Sequence, residues 1–185
     1  MGNNFLLLII ISYFFGSIPF AYILTLVLGY GDIRKIGSGN VGATNVLRTG
    51  KKSLAIAVLA LDILKGFLPI TIFLYYYRLD YISSYLIFIG SISIIGHIFP
   101  IWLKFKGGKG VATYIGFIFG IDYMLGIVFV LSWIIVGFIK KYSSLASISS
   151  LIALPLYAII FSYNQNIIYI LIFISFFFII KHTSN

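Results

Sequence analysis

The sequence predicts an all-α integral membrane protein with seven transmembrane helices, and three observations carry that prediction. Of its 185 residues, 61% are hydrophobic and only 9% charged, whereas a soluble domain is about a quarter charged. Mean hydropathy is +1.11, so a soluble fold would be left with a largely apolar surface. The apolar residues also fall in runs of the length a bilayer asks of a helix, roughly 17 to 25. All 185 residues read as one polytopic domain, 1–185, with no room for a separate soluble one.

Taken in order, residues 5–28, 54–77 and 82–103 are long enough to cross without argument. Residues 111–121 and 123–139 are separated only by Asp122, and the first of the two is short, so it is expected as a tilted or re-entrant helix. Residues 145–161 carry Pro155, and 167–180 are brief unless the helix begins near Tyr163. The amino terminus lacks a basic n-region and no small-residue cleavage site follows, so the first run reads as a retained span.

Charge supports this count. With the amino terminus outside, the loops after spans 1, 3, 5 and 7 face the cytoplasm. They hold Arg34, Lys35, Arg48, Lys51, Lys52, Lys104, Lys106, Lys109, Lys140, Lys141 and Lys181, against Arg78 alone outside. Positive residues set orientation through such an asymmetry. Fusing segments 4 and 5 would place Lys140 and Lys141 outside and spoil it.

The composition removes whole classes of chemistry. Cysteine is absent, which excludes disulfides and thiolate metal sites. Glutamate is absent too, and the only acids are Asp32, Asp62, Asp80 and Asp122, so neither a carboxylate-rich metal centre nor a glutamate base can be built. No cofactor, metal or nucleic-acid partner is expected, and a monomer in a lipid bilayer is.

What remains is polar chemistry in three clusters. The first loop runs from Gly37 through Ser38, Gly39, Asn40, Val41, Gly42, Ala43, Thr44 and Asn45 to Arg48. Its glycines let backbone approach a ligand, Ser38, Asn40, Thr44 and Asn45 offer neutral hydrogen bonds, and Arg48 offers a planar fork suited to phosphate. The competing reading is a connector in which Ser38 caps a helix. The second loop, Lys106-Gly107-Gly108-Lys109-Gly110, precedes a helix start at Val111. Amides at a helix N-terminus beside two lysines make an anion site, although the spacing is not that of a Walker loop. Positive-inside flanking would explain the lysines but not three glycines.

Other polar residues admit quieter roles. His97, just before the second loop, suits an orienter of that loop better than a catalyst. Asp62 and Lys65 lie i, i+3 on one helix face, and mutual pairing is the simpler account of two charges within a span. His182 and Asn185, also i, i+3, would share a face if the last helix continued. Gly116 and Gly120 form a small-xxx-small pair for close helix packing.

Together these clusters resemble the bacterial acyl-phosphate:glycerol-3-phosphate acyltransferases, the PlsY family. The resemblance runs the length of the chain. It takes in Gly16-Ser17-Ile18-Pro19-Phe20, Gly37 to Arg48, Leu61-Asp62-Ile63-Leu64-Lys65-Gly66, Gly96-His97, Phe105 to Gly110, and His182 with Asn185. It implies transfer of a fatty acyl group from acyl phosphate to the 1-hydroxyl of glycerol 3-phosphate, giving lysophosphatidic acid and phosphate. The location implied is the cytoplasmic face of the bacterial inner membrane. By position, Ser38, Arg48, His182 and Asn185 are the implied catalytic residues. Gly37, Asn40, Asn45, His97, Lys106, Gly107, Gly108, Lys109 and Gly110 are the implied substrate-binding ones. Ser184 stands where the family has a glutamate.

That chemistry suits the residue inventory. An acyl phosphate is already activated, so the enzyme must gather two phosphorylated substrates, offset their repulsion and stabilise the oxyanion. The proton of the attacking hydroxyl could pass to His182, to His97 or to the acceptor's own phosphate, whose second pKa is about 6. From a different class comes the alternative of a transporter or channel for an anionic phosphorylated metabolite. A metal-dependent lipid phosphotransferase is disfavoured by the scarcity of acids.

Overall fold

The computed structural model describes residues 2–77 and 84–183, with side chains over 6–76 and 87–180. Arg78, the outside charge of the topology argument, lies outside the described residues, as do Asp80, Ser184 and Asn185. Every regular element among the described residues is helical. The chain divides into two compact units, Met1–Gly120 and Ile121–Asn185.

In the first unit, α1 (Gly2–Ser17) and α2 (Phe20–Val27) come from one apolar run, expected as a single span. They are instead bent by 44° at the Ile18-Pro19 junction. Proline supplies no N–H and disfavours helical backbone in the residue before it, so the ladder cannot continue. Loop 1 follows, with a 3₁₀ turn at Ile33–Lys35 and the short α3 (Ala43–Leu47). Beneath it Ala21, Ile33, Val41, Val46, Leu54, Ala55, Val58 and Leu103 form a buried apolar floor. The long α4 (Lys52–Tyr77) carries Pro69 within it unbroken. Helix α5 (Ser84–Ile98) stops two residues before Pro100, and a 3₁₀ turn at Ile101–Leu103 leads into loop 2. The third expected span is therefore α-helical only to Ile98 and finishes in that 3₁₀ turn.

Short α6 (Val111–Ile121) starts at the predicted residue, and Tyr114, Phe117 and Ile118 on it are fully buried. Its Gly116 lies against α4 so closely that a Cβ there would strike the Ile63 carbonyl, while one on Gly66 would strike the Thr113 carbonyl. The small pair expected to serve close packing does so through Gly116, and Gly120 packs on Ile70.

In the second unit α7 (Tyr123–Lys140), α8 (Ser143–Ile160) and α9 (Gln165–Thr183) follow one another across short turns. Asp122 ends the preceding segment and caps α7, accepting from the Leu125 amide at 2.9 Å and from the Tyr163 hydroxyl at 3.1 Å. Segments 4 and 5 are thus separate helices, as expected. Trp133 Nε1 donates to Ser147 Oγ, tying α7 to α8, and Ser175 Oγ donates to the Leu151 carbonyl, tying α9 to α8.

By length and hydropathy, α4, α7 and α8 can each cross a membrane alone, and the bent α1–α2 pair makes a fourth if it counts as one span. Helical segments at Ile87–Leu103, Val111–Ile121 and Gln165–Ile180 are apolar but shorter.

Candidate functional site

Loop 1 is organised around one buried side chain. Asn45, 1% exposed, accepts from the Ser38 amide at 3.0 Å through Oδ1. Its Nδ2 lies within hydrogen-bonding distance of the carbonyls of Ile33 (3.1 Å), Ile36 (2.9 Å) and Asn40 (3.0 Å), more acceptors than its two protons can serve at once. An amide is needed at this position because it must donate and accept together. Asn45 therefore sits beneath the loop, while Ser38 and Arg48 are exposed on it. Ser38 caps no helix; the N-cap of α3 is Gly42. Gly37, at φ 56°, turns the chain where a Cβ would collide with Asn45 Oδ1 and stand 3.2 Å from Arg48 Cδ. The Arg48 side chain consequently lies beside the Gly37–Ser38 turn.

Loop 2 leaves the Ile101–Leu103 turn through Lys104 and Phe105, both with left-handed backbone. The Gly107 and Gly108 amides donate to the Ile98 carbonyl at 3.1 Å and the His97 carbonyl at 3.2 Å. These two N–H groups are thereby engaged within the loop. What the glycines contribute is closeness: a Cβ on Gly108 would strike His97 Nε2 and stand 2.6 Å from the Val41 carbonyl of loop 1. The first amides of α6, next in the chain, have no acceptor within their own helix.

The two loops thus meet, Val41 against Gly108, and their cations gather. Lys106 is exposed and Lys109 half-buried. Burial first, and the Arg48 charge second, hold the Lys109 ammonium below its usual pKa. A lysine whose charge is opposed by a neighbouring arginine in this way marks a candidate anion site. At the edge of loop 1, Asp32 accepts from Arg34 at 2.7 Å and its pKa falls to about 2, chiefly through that bond, so Arg34 is already paired.

Behind loop 2 lies a buried polar group that the pairing argument foresaw only in part. Lys65 Nζ is 2.9 Å from Asp62 Oδ1, both side chains nearly inaccessible. Lys65 also donates to the Ile18 carbonyl at 2.8 Å, a partner 47 residues away that no spacing rule reveals. His97 Nδ1 stands 3.7 Å from the same Asp62 Oδ1 and, among the described residues, has no hydrogen-bond partner of its own. A small recess of about 10 Å³, room for little more than a water, is lined by these side chains and by Gly107 and Gly108.

His182 lies in the last turn of α9, in the second unit; its side chain is outside the described residues, and so is Asn185. The structure brings together Gly37, Ser38, Asn40, Asn45, Arg48, His97 and residues Lys106–Gly110, all in the first unit. A clustering of cations from loops some 60 residues apart, Arg48 with Lys109, is what spacing could not supply.

Comparison with known proteins gives this geometry its family. The family model described as glycerol-3-phosphate acyltransferase matches residues 6–185. A glycerol-3-phosphate acyltransferase of Pelagibacter ubique (strain HTCC1062) is 50% identical over 183 residues, spanning 98% of this chain and 92% of the relative. One from Mesorhizobium japonicum (strain LMG 29417 / CECT 9101 / MAFF 303099) is 41% identical over 185 residues, spanning 100% and 92%. The crystal structure of PlsY (YgiH), an integral membrane glycerol 3-phosphate acyltransferase, in its glycerol 3-phosphate form, superposes with a TM-score of 0.90 at 38% identity. That match covers 99% of this chain and 90% of PlsY. The lysophosphatidic acid form of the same enzyme matches with a TM-score of 0.88 at 37% identity. On a match that spans nearly the whole chain in sequence and in fold, this protein belongs to the glycerol-3-phosphate acyltransferase family.

Proposed function

We propose that the protein transfers a fatty acyl group from acyl phosphate to the 1-hydroxyl of glycerol 3-phosphate, releasing lysophosphatidic acid and inorganic phosphate. The site lies at the cytoplasmic face of a bacterial inner membrane, on a seven-span monomer whose amino terminus is outside. The observation that carries the reading is the convergence of Arg48 with Lys109 where Val41 meets Gly108. Two phosphorylated reactants repel each other, and a paired guanidinium and ammonium offset that repulsion at the point of encounter. Arg48 and Ser38 hold the acceptor's phosphate and glycerol. Lys106, Lys109 and the amides leading into α6 hold the acyl phosphate and stabilise the charge that develops on the departing phosphate. Gly37, Gly107, Gly108 and Gly110 keep the backbone close, while Asn40 and Asn45 shape loop 1. His182 and Asn185 are taken as the remaining catalytic residues on the resemblance to the family. The acyl chain lies among the apolar helices, open to lipid. A proton leaves the attacking hydroxyl as the C–O bond forms and the acyl carbon–oxygen bond to phosphate breaks. It passes to His182, to His97 or to the acceptor's phosphate.

The test is a donor comparison. Purified protein in detergent is given glycerol 3-phosphate with acyl phosphate, acyl-CoA or acyl carrier protein. Turnover is expected with acyl phosphate alone, and phosphate release only when the acceptor is present. Equal use of acyl-CoA would reject the donor assignment. Uptake of glycerol 3-phosphate by proteoliposomes, without turnover, would replace acyl transfer with transport.

A further inference from the structure

We infer that Asp62 and Lys65 are positioning residues for the acyl-transfer site, joining the α1–α2 break to loop 2 through His97. The inference rests on the proposed function and adds residues to its machinery that touch no substrate.

The geometry is a chain of contacts through the first unit. At the break before Pro19, the Ile18 carbonyl accepts from the Phe20 amide at 3.1 Å in place of a regular helical donor, and in lipid its second lone pair gains from a further partner within the protein. Lys65 Nζ provides one at 2.8 Å, and lies 5.5 Å from the centre of the Phe20 ring on the other side of the break. Asp62 balances that ammonium at 2.9 Å and presents the same oxygen to His97 Nδ1 at 3.7 Å. The opposite nitrogen of the imidazole backs directly onto Gly108, and the amides of Gly107 and Gly108 hang from the carbonyls of Ile98 and His97. Moving Asp62 or Lys65 therefore moves the ring behind loop 2 relative to the break that leads into loop 1.

Holding helices together does not require charge here. A buried ion pair replaced by apolar side chains of like volume is often no less stable. Leucine and methionine could fill this space, but they could neither add a second donor to the Ile18 carbonyl beside the Phe20 amide nor present an oxygen to the imidazole. The recess that these same side chains floor reaches Gly107 and Gly108, so the network stands directly behind the loop it would set.

Asp62→Asn and Lys65→Met each leave one charge buried and unpaired, and both are expected to lose thermal stability as well as turnover. The decisive protein is the double variant Asp62→Leu/Lys65→Met, followed by its melting temperature in detergent, by glycerol 3-phosphate binding in calorimetry without any donor, and by kcat and KM. Expected is recovery of the melting temperature to within a few degrees of the parent, with binding or kcat/KM still at least about tenfold weaker. Recovery of stability and turnover together would make the pair a fold clamp and overturn the inference. If the double variant does not fold, His97→Asn decides. It keeps an amide near Nδ1 and removes the ring behind Gly108, so a raised KM for glycerol 3-phosphate in a folded protein supports the inference and an unchanged KM overturns it. Failure of the parent protein to bind glycerol 3-phosphate would instead reject the underlying reading of the site.

Discussion

Asn45, Arg48 and Lys109 show how differently three polar residues of two loops are used. Asn45 spends its hydrogen bonds inside loop 1 and reaches the ligand only through the shape it imposes. Arg48 is exposed beside Gly37, and the proposed function gives its guanidinium to phosphate recognition. Arg48→Lys preserves the charge but loses the planar two-pronged fork, so kcat/KM should fall about a hundredfold with the melting temperature unchanged. Near-normal turnover would remove Arg48 from the site. Lys109 carries a pH signature. Its folded pKa lies below the ordinary lysine value, through burial and then Arg48. The ammonium that the proposed function assigns to phosphate is thus lost, as pH rises through that lowered pKa, earlier than an ordinary lysine would be. KM for glycerol 3-phosphate or acyl phosphate should climb on the alkaline side, and Lys109→Arg should push the climb to higher pH, as read from a KM–pH profile. An unmoved alkaline limb would assign the titration to another group.

Among the elements, the α4–α6 crossing and the α1–α2 break decide where the loops emerge. Helix α6 has only 11 residues, about 16 Å at 1.5 Å each, and it is held by backbone contact with α4 more than by length. At Gly116 any side chain would meet the Ile63 carbonyl, which cannot swing away as a side-chain tip can. Gly116→Ala should cost roughly 1–3 kcal/mol or more, as overpacking does, seen as a lower melting temperature in detergent. The control is Gly137→Ala in α7, where the new methyl would lie 3.7 Å from Ala146 Cβ in ordinary contact. Equal melting temperatures for the two variants would show that the crossing is looser than drawn. The break at Pro19 is as consequential, since it frees the carbonyl that Lys65 takes up and redirects the chain into loop 1.

For the molecule as a whole the open question is sidedness, and the cysteine-free sequence is a ready background for it. Single substitutions Lys51→Cys, Phe105→Cys and Lys140→Cys lie in the loops after the first, third and fifth expected spans. All three should react with an impermeant maleimide in inside-out vesicles and not in intact cells. Labelling of Lys140→Cys from outside would mean that residues 111–139 cross an odd number of times and would reverse the topology downstream. The same outcome would place His182 across the bilayer from loops 1 and 2 and end its part in the site.

The apolar runs, the helix start at Val111, the separation of two segments at Asp122 and the pairing of Asp62 with Lys65 were all legible in the sequence. Each depends on neighbours a few residues apart, and hydropathy, proline, glycine and helical spacing report on that range. The same local evidence missed the bend within residues 5–28, because mean hydropathy is indifferent to one proline, and it could not give Asn45 its place beneath loop 1. Tertiary structure alone decided that Arg48 and Lys109 gather at one point, that Val41 touches Gly108, and that Lys65 answers the Ile18 carbonyl. Those contacts join residues tens of positions apart, and their partners are mostly backbone carbonyls. Every residue carries that same group, so side-chain identity cannot say which one a lysine will find.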